Sequence, residues 1–190
     1  MTSTSRARLC GALAFAFAYA ISVFGARAGE APPEPDSYRM GDYRGLTPST
    51  LKGARVLSTE AAHKIWLNGA AIFVDVLPQA PRPAHLPPDV IWRDKPQFDI
   101  PGSVWLPDTG YGDLPQVAAD YFHAGLRKAI GDDANKTIVF YCLRDCWMSW
   151  NAAKRAVALG YLNVDWYPDG TDGWSASGFP LEARRPEPRP

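Results

Sequence analysis

The sequence is short of several things, and each shortage closes a class of function. Lys and Arg balance Asp and Glu at 20 each, and no run of like charge occurs. A nucleic-acid or anionic-membrane partner has no electrostatic footprint here. Histidine is scarce: only His63, His85 and His123 occur in 190 residues. No C-x-x-C-H segment exists, so attachment of a c-type haem is disfavoured. No internal repeat is visible, and the one long apolar run, Leu9 to Phe24, is shorter than the about 20 residues a membrane span needs. Cysteine is also rare, at Cys10, Cys142 and Cys146.

That apolar run sits in a recognisable context. Arg6 and Arg8 precede it, and Ala26-Arg27-Ala28 follows as a small-x-small site. This is the pattern of a secretory signal over residues 1–28, with cleavage expected after Ala28. The expected address is the periplasm, with no stable membrane span after cleavage. Cleavage removes three arginines and leaves 17 basic residues against 20 acidic ones. It also removes Cys10, so Cys142 and Cys146 become the only thiols. Two thiols in an oxidising compartment are a candidate disulfide or a managed redox pair.

Residues 29–54 read as an N-terminal extension, beginning with a Pro- and acid-rich leader from Glu30 to Pro35. A helix is predicted from Thr59 to Asn68, capped by Ser58 and ended by Gly69. The nearly continuous apolar stretch Ala71 to Val76 has the pattern of a buried parallel strand. Pro78 to Pro96 holds six prolines, which remove backbone donors and predict a long loop. A short strand is predicted at Val104–Leu106. A helix follows over Val117–Ile130, with Val117, Tyr121, Ala124 and Ala129 near helical spacing. A second buried strand is expected at Thr137–Tyr141, a helix at Ser149–Leu159, and a strand at Val164–Tyr167, before a Gly-rich turn and Trp174. Residues 183–190, rich in Pro and charge, read as a disordered tail. Alternating strands and helices give an α/β fold: one domain over 55–182, an open, largely parallel sheet with helices on both faces.

The most informative segment runs from Tyr141 through Cys142, Leu143, Arg144, Asp145, Cys146, Trp147 and Met148 to Ser149. It joins the end of an apolar strand to the start of a helix, the edge at which open α/β sheets bind ligands. A thiolate placed there is stabilised by helix-start amides. Arg144 can add to that field, and Asp145 partly offsets it. The bland alternative is that each sulfur is a small apolar filler.

At this point a family resemblance becomes specific. Val139-Phe140-Tyr141-Cys142, a short loop, and Ser149-Trp150-Asn151-Ala152-Ala153 resemble the active-site strand, loop and helix of the rhodanese family. Gly160-Tyr161-Leu162-Asn163-Val164, Gly173-Trp174 and Gly178-Phe179-Pro180-Leu181-Glu182 extend the likeness, as do Phe73-Val74-Asp75-Val76 and Ile100-Pro101-Gly102-Ser103 upstream. The resemblance implies a rhodanese-like fold over about Arg55 to Glu182, with Cys142 in the place of the sulfur-accepting cysteine. Departures are visible. Leu77 stands where many members have Arg, and Asp99 stands where many have His. Met148 and Ser149 occupy the region where phosphatase and arsenate-reductase relatives need an Arg, so oxyanion chemistry is disfavoured. A second cysteine, able to expel sulfide from a persulfide on Cys142, argues against ordinary thiosulfate sulfurtransfer. The Cys142, Cys146, Trp147 arrangement resembles a narrower exported group, the CXXCW motif proteins associated with pyrroloquinoline-quinone (PQQ)-dependent alcohol catabolism.

Three functional readings follow, and the sequence leaves them open. The first is thiol-redox or persulfide handling, with Cys142 as nucleophile, Cys146 as resolving thiol and Arg144 stabilising the thiolate. The second is a metal or cofactor module: Cys142 and Cys146 suit copper(I), with His85 or Met148 as a further ligand, and Trp147 could line another redox cofactor. The third is a non-catalytic docking domain for a periplasmic quinoprotein dehydrogenase or transport component, using Trp147 and Trp150. Those two aromatics read equally well as core packing. His63 and His123 lie on predicted helices and read as surface or core residues.

Overall fold

A computed structural model describes Met1 and residues 30–189, apart from Asp94 and Ala134. The expected signal segment and Cys10 lie outside the described residues. No described helix is long and apolar enough to cross a membrane.

Five strands form a wholly parallel sheet in the order β1-β6-β5-β2-β4. They are β1 (Arg55–Val56), β2 (Ala71–Asp75), β4 (Val104–Trp105), β5 (Thr137–Tyr141) and β6 (Val164–Trp166). A separate antiparallel ladder joins β3 (Gln97–Asp99) to β7 (Glu182–Arg184). The helices are α1 (Thr59–Leu67), α2 (Gln116–Ile130), α3 (Trp147–Ala158) and α4 (Gly170–Ala176).

The apolar runs read as buried strands are buried on both faces because strand side chains alternate. On β5, Ile138 and Phe140 enter the core shared with α2 and α3, while Val139 and Tyr141 enter the one shared with α1 and α4. On β2, Val74 faces the first core and Phe73 the second. One large apolar cluster therefore lies on each side of the sheet. The expected α/β architecture is the observed one.

Several elements depart from expectation. Ser58 caps α1 as predicted, its Oγ accepting from Ala61 N at 3.3 Å. The inward face of α2, however, carries Tyr121, Phe122, Gly125 and Leu126, whereas Val117 is exposed. A side chain on Gly125 would strike Leu106, so the helix packs closely there. Helix α3 starts at Trp147, two residues before the predicted Ser149. The expected Gly-rich turn is α4, and β1, β3 and β7 have no counterpart in the sequence reading.

Both flanking segments carry specific contacts. The tail expected to be disordered supplies β7, and Glu187 N then donates to Trp105 O at 2.9 Å. Tyr121 Oη donates to Glu187 O at 2.8 Å, and Arg189 pairs with Asp108. The Pro- and acid-rich leader is tied down through Glu34, which accepts from Thr50 Oγ1 and Lys52 N, both at 2.7 Å. Periodicity cannot foretell such contacts, because they bring together residues far apart in sequence.

Candidate active site

Cys142 follows directly on β5, and Cys146 is the N-cap of α3. Five residues turn the chain from strand to helix, with Asp145 in the left-handed region at φ 53°. Aspartate tolerates that conformation better than most residues. The loop is held from below by α4: Thr171 N donates to Cys142 O at 2.9 Å. Gly170, at φ 52°, makes this approach possible, since a Cβ there would lie 2.2 Å from Cys142 O.

The N-terminal extension roofs the loop. Arg44 and Cys146 form an antiparallel bridge, Gly45 N donates to Asp145 O at 2.8 Å, and Trp147 N donates to Tyr43 O at 2.9 Å. One early amide of α3 is thereby committed to the strap. Asn151, fully buried on α3, clamps the strap further: its Oδ1 accepts from Arg39 N and its Nδ2 donates to Arg39 O, each at 2.9 Å. Beneath this roof the thiols are closed off, with Cys142 1% and Cys146 2% exposed.

Both cysteines are free thiols. Cys142 Sγ lies 3.5 Å from Cys146 O and 3.7 Å from Leu143 O. The two sulfurs interact, and their environments split them. Burial pushes the Cys142 thiol well above its ordinary range, and the neighbouring Cys146 charge adds to this. Cys146 is lowered to about 6, first by the hydrogen bond from Cys142, then by the amides of Met148 and Leu143 and by the charge of Arg44; burial opposes these. Such a pair titrates as a unit. The site therefore favours one thiolate, on Cys146, with Cys142 keeping the proton that it donates. The sequence reading gave the nucleophile to Cys142 and the resolving role to Cys146. The loop brings both together, and the field of the helix-start amides and of Arg44 falls on the Cys146 side.

Arg144 is engaged with α4 and the residue before it. Its Nε lies 3.4 Å from Asp169 Oδ1, and its backbone N donates to Asp172 Oδ2 at 3.0 Å. A cation acting on Cys146 is Arg44, which lies about a hundred residues away on the extension and leaves no local signal in the sequence. His85 is exposed on the long loop. Among the described residues no group of three or more His, Cys, Asp or Glu is placed to hold a metal, so the two sulfurs gain no third ligand of those types. Met148 is buried beside the pair. Trp147 and Trp150 are buried too, edge to face at 5.4 Å, with Arg39 over the Trp147 ring at 5.3 Å. They are packing residues, not exposed docking aromatics. Trp147 also lines a hollow of about 340 Å³ beneath the strap, with Tyr38 and Met40. His63 stacks on Phe179 at 3.6 Å, and His123 is exposed.

Asp99, at the position where a histidine was expected, belongs to a second polar centre. Asp75 and Asp99 are both fully buried. Asp75 accepts from Leu77 N and Gln97 Nε2, each at 2.8 Å. Neither Asp99 oxygen receives a hydrogen bond from a donor. Burial raises both carboxyls, and for Asp75 the charge of Asp99 raises it further. One proton shared between the two acids gives one of the two orphaned oxygens a partner. The Asp75 charge also contributes to raising Cys142.

With this geometry established, comparison with known proteins gives a family. Residues 60–177 match the family model described as "Rhodanese-like domain". The chain belongs to that family. This membership points to sulfurtransferase or persulfide-related chemistry. A comparison with curated proteins finds no match. Among solved structures, the chain is similar to a thiosulfate sulfurtransferase from Pseudomonas aeruginosa, at 15% identity and a TM-score of 0.48, covering 70% of this chain and 21% of that one. It is also similar to the polysulfide-sulfur transferase of Wolinella succinogenes, at 17% identity, a TM-score of 0.43, and 70% and 80% coverage. A third is a 3-mercaptopyruvate sulfotransferase from Escherichia coli, at 16%, 0.39, and 66% and 43%. This rhodanese-like chain thus spans about a fifth of the Pseudomonas protein's length.

Proposed function

We propose that this protein is a periplasmic thiol-redox or persulfide-handling protein working through Cys142 and Cys146. The observation that carries the reading is the unequal pair: two free, buried thiols on one loop, one favoured as thiolate and the other as proton donor.

The chemistry follows from that inequality. The Cys146 thiolate attacks the outer sulfur of a persulfide donor, forming a Cys146 persulfide and releasing the donor as its thiolate. Cys142 then gives up its proton and attacks the inner sulfur. A Cys142–Cys146 disulfide forms, and hydrosulfide leaves with the sulfane sulfur. An external dithiol closes the cycle by taking the disulfide's place as the oxidised partner. Storage of a lasting persulfide, as ordinary thiosulfate sulfurtransfer requires, is short-circuited by the second thiol.

The finer setting rests on the signal-like segment and on the Cys142, Cys146, Trp147 arrangement. It is export to the periplasm and service to PQQ-dependent alcohol catabolism, alongside a quinoprotein dehydrogenase or transport component. Intact-mass analysis of the protein taken from the periplasm, with thiol titration before and after reduction, tests this reading. A mature chain beginning after residue 28, with a disulfide that reduction opens to two thiols, is the expected result. Retention in the cytoplasm, or two thiols that never pair under oxidant, contradicts it.

A further inference from the structure

On the other side of the sheet's carboxyl rim, beside the edge strand β4, lies a cavity of about 770 Å³. Its size falls in the range of small-molecule sites. Four cations line it, Arg93, Lys95, Arg184 and Arg185, together with Gln79 and the buried ring of Trp105. No Asp or Glu belongs to the described lining. A smaller hollow of about 210 Å³ shares Gln79, Lys95 and Trp105 and continues the cleft towards the proline-rich loop.

Only part of this charge is spent internally. Arg184 pairs with Glu182 at 2.8 Å. Arg93, Lys95 and Arg185 make no ion pair or hydrogen bond with a described residue. If Glu182 and Asp94, the one acid between Arg93 and Lys95 in the chain, are both set against the four cations, two positive charges remain. Arg184 Nε is buried away from the cavity without a hydrogen-bond partner, and the Arg184 charge also acts on the buried Asp99. The walls are also pre-positioned. Arg184 is paired in register with Gln97 across the β3–β7 ladder, Glu187 N is fastened to Trp105 O, and Trp105 Nε1 is fastened to Leu77 O at 2.8 Å. Trp105 is buried and backs the cavity, and Pro96 and Pro186 add apolar wall.

We propose that this cleft binds a multivalent organic anion, one whose carboxylates or phosphates meet the arginine forks while a flat apolar body lies against Pro96 and Pro186. The site is distinct from the thiol pair, and the proposal does not depend on the thiol chemistry.

Calorimetric titration of the full chain at low salt tests it, with three probes: trimesate (a flat aromatic tricarboxylate), pyrophosphate and neutral benzamide. Trimesate binds saturably at one site and pyrophosphate more weakly, the ratio between them separating the flat body from charge alone; benzamide gives no heat. The double variant Lys95→Gln/Arg185→Gln weakens trimesate by about tenfold or more, since each lost charge-assisted contact is worth at least that factor. Arg127→Gln, in a separate basic hollow on α2, leaves binding unchanged. Cys146→Ala also leaves it unchanged, which keeps failure of the thiol reading distinguishable from failure of this one. Protection of Arg185 from phenylglyoxal by trimesate, mapped by mass in the unmodified protein, is a readout independent of any variant. Absence of saturable trimesate binding, or equal affinity in the double variant, overturns the proposal.

Discussion

Strands β2 and β5 run side by side in register and end level, with Asp75 opposite Tyr141. What leaves each strand differs in almost every respect. From β5 the chain turns within five residues into α3, and a strap from the N-terminal extension closes over the turn. From β2 it enters a loop with six prolines, whose far end lines an open, cationic cleft. At the first exit the polar chemistry is buried and self-contained: a thiol and a thiolate satisfy one another. At the second, a buried acid pair lies below, and four cations stand above, one of them paired with Glu182. A short loop fixed by both neighbours creates reactivity by unequal burial, whereas a long loop creates binding capacity by leaving charge without a partner.

The largest effect expected from breaking this comparison comes from removing a sulfur. Cys142→Ala and Cys146→Ala each abolish the intramolecular disulfide formed under oxidant, read by intact mass. They differ in what they leave behind. In Cys142→Ala the remaining thiol loses its hydrogen-bond donor and returns towards the ordinary thiol range of about 8.5. Next in size is the floor of the loop. Gly170→Ala forces a side chain into Cys142 O at a positive φ and costs about 2–3 kcal/mol in denaturant unfolding, within the range for strained left-handed residues.

The acid pair gives a smaller effect with a defined sign. Both carboxyls are raised above their unfolded values. Their contribution to stability is complete below the ordinary carboxyl pKa. It declines as pH rises towards the raised values, because the unfolded chain releases its protons first. Asp99→Asn supplies an amide donor to Asp75 in place of the shared proton. Thermal unfolding across pH should show a flatter profile and a gain of about 1 kcal/mol at neutral pH. The smallest effect belongs to the strap's charge. Arg44→Ala moves the Cys146 midpoint upward, less than Cys142→Ala does, because Arg44 is the weakest of its stabilisers.

The same contrast explains what the sequence could reveal. The buried strands were legible because β2 and β5 are short apolar runs, and the helices because caps such as Ser58 mark their ends. The thiol loop was legible because both cysteines are local to it. Partner choice inside the site was not. Arg144 lies between the cysteines in sequence but turns away to Asp169, while Arg44 arrives from the extension to bridge Cys146. The inward face of α2 was misread because Gly125 and Phe122, not Val117, meet the core; a glycine gives no apolar signal for close packing against Leu106. The cationic cleft was invisible for the same reason as the β3–β7 ladder that builds it. Its walls come from segments nearly ninety residues apart, each unremarkable alone.

The central claim is that the two thiols are chemically unequal in the resting protein. Alkylation of the reduced, unmodified chain across pH, with each cysteine followed separately by peptide mass, tests it directly. The account predicts that Cys146 reacts first, with a midpoint near 6, while Cys142 stays protonated past the ordinary thiol range. Preferential labelling of Cys142 at low pH, or simultaneous labelling of both at an ordinary thiol midpoint, contradicts it.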